Sequence, residues 1–154
     1  MSTILQGAQL KQLVLGNGPV SKATGTLADA TTDSLFTVAG GEVLVTALWA
    51  VCTTTMAGAN TLALQTNPTT GDTVTVVAAT DLGTTDTAAG TTIGVVDEST
   101  TTPDFRKGGR ALCGLVVTTG AIELVQTGTG TIDGELTFYC TWVPLTTGAT
   151  LVAS

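Results

Sequence analysis

Glu42-Val-Leu-Val-Thr-Ala-Leu-Trp-Ala-Val-Cys-Thr-Thr-Thr55 is the strongest apolar segment of the chain. On an extended backbone Val43, Val45, Ala47, Trp49 and Val51 point one way, and Leu44, Leu48, Ala50 and Cys52 the other. Apolar side chains on both faces describe a central strand covered on both sides. At about 3.3 Å per residue the segment would run roughly 45 Å, long for a strand, so a bend or bulge is expected near Thr53.

The rest of the chain from Ser34 onward follows the same grammar of short strand and turn. Ser34 to Val38 leads into Gly40-Gly41. Thr61 to Thr66 is closed by Asn67-Pro68, and Thr73 to Ala79 follows Gly71-Asp72. Thr80 to Thr92 is a Thr- and Gly-rich tract, and Ile93 to Val96 a short apolar run. Ala111 to Thr118 and Ala121 to Gln126 read as a hairpin turning at Thr119-Gly120. In Glu135 to Val143, Leu136, Phe138, Cys140 and Trp142 alternate with Glu135, Thr137, Tyr139 and Thr141, which is period two with one inward face. Pro144 ends that strand, and Thr150 to Ala153 offers an edge strand. About eight strands with no helical apolar face predict an all-β fold, an antiparallel β-sandwich of jelly-roll type, over residues 31–154. Residues 1–30 differ. Leu5, Leu10, Leu13 and Leu15 show no sustained period, and Gly16-Asn17-Gly18-Pro19 breaks any regular element. They read as an N-terminal arm carrying one short element, lying on a neighbouring subunit or folding back on its own domain.

Composition narrows the function. Only 11% of the 154 residues are charged, against about 25% in a typical soluble domain. Threonine and glycine fill the space, and a hydroxyl is cheaper to desolvate than an ion provided it finds a partner. Such a surface dries readily against another protein. A net charge of −7 and a pI near 4.1 argue against a nucleic-acid partner and against an anionic membrane. The first residues lack the basic and apolar regions of a secretory signal, and no apolar run approaches about 18 residues. Cys52, Cys113 and Cys140 are odd in number and far apart, fitting neither a disulfide framework nor a metal site; all three are expected as buried thiols formed in a reducing compartment.

The chain contains no histidine, which removes Ser-His-Asp and Cys-His catalysis and the commonest metal ligand. Its twelve carboxylates are scattered singly, apart from Asp97-Glu98. Gly128-x-Gly130 leads into a strand, where a nucleotide fingerprint needs a helix terminus. Asp72, Asp81 and Asp86 lie in loops but form no calcium-loop pattern. The expectation is a non-enzymatic protein without cofactor or metal. One candidate interaction site stands out: Phe105-Arg106-Lys107-Gly108-Gly109-Arg110 holds three of the five basic residues. It reads either as a partner-docking loop, with Phe105, Arg106, Lys107 and Arg110 meeting an acidic surface, or as a loop neutralising Asp97, Glu98 and Asp104 beside it. Trp49 and Trp142 read as core anchors.

The segment Leu35 to Thr55, the segment Asn60 to Pro68, and Gly134-Glu-Leu-Thr-Phe-Tyr-Cys-Thr-Trp-Val-Pro-Leu-Thr-Thr-Gly-Ala-Thr150 together resemble a family of small tailed-bacteriophage structural proteins. The shared pattern is an apolar strand entered through Gly-Gly and a closing strand ending in Val-Pro-Leu before Gly-Ala. The resemblance implies a virion component made in the bacterial cytoplasm, such as a capsid decoration or minor head protein. It also implies self-association, as a trimer or another homo-oligomer, on a major capsid protein or other virion protein. It carries no catalytic residues. The alternatives are a carbohydrate- or receptor-binding module of a tail or fibre, and a tail or connector component.

Overall fold

The computed structural model describes residues 7–96, 102–128 and 132–154. Among the described residues one helix, α1 (Gly7–Leu15), precedes eleven strands: β1 (Asn17–Thr26), β2 (Thr31–Ala39), β3 (Val43–Thr54), β4 (Asn60–Pro68), β5 (Val74–Asp81), β6 (Thr92–Val96), β7 (Asp104–Lys107), β8 (Leu115–Val117), β9 (Gly120–Gly128), β10 (Glu135–Pro144) and β11 (Thr150–Ala153). The chain is all-β. Its strands form one hydrogen-bonded path, β1-β10-β3-β6-β7-β5-β4-β9-β2-β11, with β8 branching from β3. The path curls until its two end strands approach, giving a nearly closed barrel. At that seam Lys22 Nζ donates to the backbone oxygen of Ser154, bridging β1 and the C-terminus.

The sheet is mixed where a purely antiparallel one was expected. The exception is β5 with β7, a parallel pair joined only at Ala78 and Asp104. The expected hairpin at Thr119-Gly120 is absent: β8 pairs with β3, whereas β9 pairs with β2 and β4. The turn is a corner between the two sides of the barrel. Thr119 Oγ1 accepts from Gly41 N at 3.2 Å, and Gly120, at φ +151°, lies so close to β4 that a Cβ would meet Asn67 O at 2.4 Å. A tight turn between two apolar runs suggests a hairpin by local rule, but here the partners on either side come from distant sequence.

The β3–β10 ladder forms the spine, from Val43–Pro144 to Thr54–Glu135. It contains two irregularities. Thr53 has no opposite residue, which is the bulge expected there. Thr46 has none either, because Val45 faces Trp142 and Ala47 faces Thr141. An extra residue flips the alternation. Val43 and Val45 point inward before Thr46, and Leu48, Ala50 and Cys52 point inward after it. Leu44, Trp49 and Val51 are consequently left half-buried on the outside. The expectation that β3 is covered on both sides holds in part: the inner side is fully buried and the outer side is only half-buried by this chain.

On β10, Leu136, Phe138, Cys140 and Trp142 all face the core, in the expected phase. They meet Leu35, Phe36, Leu62, Leu64, Ile122 and Leu124 from the opposite side of the barrel within one continuous apolar cluster. Cys52 and Cys140 are buried, and loss of hydration pushes the Cys140 thiol up to about 12. Cys113 is exposed, against expectation, because residues 111–114 run along the rim beside β3 and are not enclosed by a ladder on both sides.

Residues 1–30 divide into two parts. Residues 17–26, expected within an arm, form β1, an edge strand paired with β10 from Asn17–Trp142 to Thr26–Glu135. The glycine and proline content of β1 concealed it; such residues are tolerated at an edge, where one row of N–H groups has no ladder to serve. Residues 7–15 form α1, which buries none of its residues. Among the described residues of the arm, the helix is the part that stays exposed throughout.

Phe138 is 1% exposed and its ring lies 6.4 Å from that of Phe105. Phe138→Ala should lower unfolding stability by about 3–5 kcal/mol, read as a lower urea midpoint at unchanged slope.

Candidate functional site

The four residues expected to form a docking loop lie on and just after β7, a strand hydrogen-bonded to β6 through Ile93–Lys107, Gly94–Arg106, Val95–Phe105 and Val96–Asp104. The alternation of β7 separates them. Phe105 is 6% exposed and packs on Phe138, so it belongs to the core and not to a docking surface. Arg106, Lys107 and Arg110 are exposed. Lys107 Nζ donates to the backbone oxygens of Thr85 and of Asp86, the latter at 3.0 Å, which ties β7 to the Thr-rich tract. Arg106 and Arg110 border an open hollow of about 410 Å³ with Val95, Val96, Gly108 and Gly109. Gly94 makes this arrangement possible, since a Cβ there would meet Arg110 O at 2.2 Å and Gly109 O at 2.4 Å. The acids Asp97 and Glu98, expected to neutralise the basic residues, lie outside the described residues, as do residues 129–131 of the second Gly-rich turn.

Asp133, Asp81 and Asp29 serve the backbone. Asp133 accepts from Ala57 N and Gly58 N, both at 2.9 Å, and these bonds hold its carboxyl below the usual range. Asp81 accepts from the Thr84 hydroxyl, from Thr84 N at 3.0 Å and from Gly83 N at 2.8 Å, with the same effect. Asp29 accepts from Gly128 N at 3.0 Å. These acids clamp loops. Among the described residues no three Cys, Asp or Glu side chains gather as a metal site would require, and no helix is long and apolar enough to cross a membrane.

Two surface features were not read from the sequence. The first is an aromatic pair. Trp49 and Tyr139 are cross-strand neighbours on the outer face, stacked with centroids 5.5 Å apart and planes 13° from parallel. Trp142 is buried in the core, but Trp49 is not, and the bulge at Thr46 is the reason. The second is an outer apolar row, Val143–Leu44–Val116, running across β10, β3 and β8. Val116 is 53% exposed, and Leu145 beyond the end of β10 is 51% exposed. Beside this row, Thr46 Oγ1 donates to Leu15 O at 2.8 Å and pairs with Thr141 Oγ1 at 2.7 Å, anchoring the end of α1. No family model, characterised protein or solved structure matches the chain.

The lowered carboxyl of Asp133 has a defined consequence for pH. A group whose folded value lies below its unfolded value near 3.9 contributes stability above that value and loses it as pH falls through the folded one. Asp133→Asn should therefore be less stable than the parent at pH 7, and the gap should close between about pH 5 and pH 2. Urea midpoints measured across that range check it.

Proposed function

We propose that this chain is a structural protein of a tailed-bacteriophage particle, most simply a capsid decoration or minor head protein. In this reading it associates with itself, as a trimer or another closed homo-oligomer, on the major capsid protein or another virion protein. It is made in the bacterial cytoplasm and ends in the virion. It carries out no catalysis and needs no cofactor. The observation that carries the reading is the partly covered outer side of β3. The strand is apolar on both faces, yet its outer residues Leu44, Trp49 and Val51 are only half-buried by their own chain. Apolar surface of this kind is stabilised when another protein removes it from water, at about 25 cal/mol per Å².

The resemblance of Leu35–Thr55 and Gly134–Thr150 to phage structural proteins supports the choice of particle. In the jelly-roll-like reading, the strands β1-β10-β3-β6-β7 and β5-β4-β9-β2-β11 would form the two faces, joined at one edge by the β5–β7 pair. Stabilisation would be passive: each contact is modest, and a repeating lattice multiplies it.

The particle reading is tested by imaging purified particles with labelled antibody against the chain, and by light scattering of the isolated protein. Particles bearing the protein and a mass above one chain are expected; unlabelled particles and a clean monomer at micromolar concentration overturn it. On the shell, replacing Arg106, Lys107 and Arg110 with alanine should weaken attachment and flatten its salt dependence, while leaving the urea midpoint close to the parent's.

A second reading, a carbohydrate- or receptor-binding module of a tail or fibre, has one observation in its favour: the stacked Trp49–Tyr139 pair on the outer face. Aromatic faces bind sugar rings through their apolar side. Glycan-array binding that disappears in Trp49→Ala would establish it, and an array without hits would retire it.

A further inference from the structure

α1 is amphipathic in an inverted sense. Leu10, Leu13 and Val14 fall at positions i, i+3 and i+4 and share one stripe. Ala8, Lys11 and Gln12, on the other side, line a shallow hollow with Gly16, Asn17 and Gly18 of the same chain. Gln12 Nε2 donates to Asn17 Oδ1 at 2.5 Å. The polar side therefore faces home and the apolar stripe faces away, with Leu13 at 76% and Val14 at 75% exposure. A nine-residue helix is too short to persist in water on its own propensity, for which about 12–15 residues are needed.

We infer that the Leu10–Leu13–Val14 stripe of one copy docks on the Val143–Leu44–Val116 row of a second copy, and that this exchange is the self-association contact. The inference rests on the assembly reading above and names its partner surface. Two observations select a second copy as the occupant. The first is adjacency: Thr46 fixes the base of α1 beside Leu44 and Val143, so donor stripe and acceptor row occupy the same face of the molecule. A two-fold contact requires this, since each surface that is given must also be received. The second is charge. α1 carries Lys11 and no acidic side chain, whereas the chain from Asn17 onward carries all twelve acids with four basic residues, Lys22 of β1 among them. The net charge of −7 is thus +1 on the segment that bears the helix and −8 on the remainder. Exposed Glu42 sits at the edge of the acceptor row, where its backbone oxygen receives Leu145 N at 2.9 Å. Opposite charges of this kind steer two copies arm to body and oppose body to body.

The test uses the full chain in analytical ultracentrifugation. Leu13→Glu with Val14→Glu removes the stripe, and Val116→Glu removes the row. Each variant should weaken self-association at least tenfold, with added salt weakening the parent as well. Mixed in equal amounts, the two variants should recover a heterodimer, because one still offers an intact row and the other an intact stripe. Leu13→Ser with Val14→Ser and Val116→Thr serve in the same mixture should a glutamate variant fail to fold, as judged by circular dichroism. An oligomeric parent whose variants associate unchanged overturns this contact and leaves the assembly reading standing. Loss without recovery on mixing means that helix packs on helix, and it also overturns the contact. A parent that stays monomeric while the stripe variants lose shell attachment gives α1 to the capsid protein instead. A monomer that attaches to no particle ends both readings.

Discussion

The pairing of β3 with β10 is the constraint on which the rest of the molecule depends. Nine inward side chains from these two strands, from Val43 to Cys52 and from Leu136 to Trp142, supply one wall of the core. They place β1 on the free edge of β10 and β6 and β8 on the free edge of β3, and β6 in turn carries β7. The two bulges matter as much as the pairs. Keeping a strict period of two would have turned Leu48, Ala50 and Cys52 outward and Trp49 into a core already occupied by Phe138 and Trp142. One unmatched residue at Thr46 resolves that conflict, and its hydroxyl then becomes the anchor for α1.

The scarcity of charge shapes the remainder. Loops that in other proteins would be held by ion pairs are held here by carboxylates accepting from backbone N–H groups and by threonine hydroxyls. Asp133 closes the turn after β3 onto the start of β10, and Asp81 closes the turn after β5. Gln126, buried within β9, donates to Asp33 and accepts from Ala28 N at 3.0 Å, tying β2 and the segment before it to the barrel. The outer faces that result are rich in hydroxyls and methyl groups, cheap to dehydrate, and suited to contact with other proteins.

A half-covered central strand and a helix with its apolar stripe outward are the same problem seen twice. In a monomer both leave apolar surface in water, and the two lie side by side. In the assembly proposed above, burying one against the other between copies would remove both from water without any change in the fold.

Much of the architecture was legible in the amino-acid sequence. Extended segments, their turn residues, the inward phase of β10 and the bulge at Thr53 all follow from local rules: side-chain alternation, β-branched content, and glycine or proline at breaks. The absence of histidine also bounded the chemistry. Partner choice was not legible, because ladders such as β2–β9 and β4–β9 join residues more than fifty positions apart and no local pattern encodes them. For the same reason the sequence suggested a hairpin at Gly120 where the fold has a corner, and a docking role for Phe105 where β7 buries it. The parity of β3 was decided by Thr46, a residue without a distinctive local signature, and with it which tryptophan went inside. Sequence alone determined that this chain makes strands and has grease to hide. The tertiary structure decided which face was left only half-covered, since that depends on where distant strands run out.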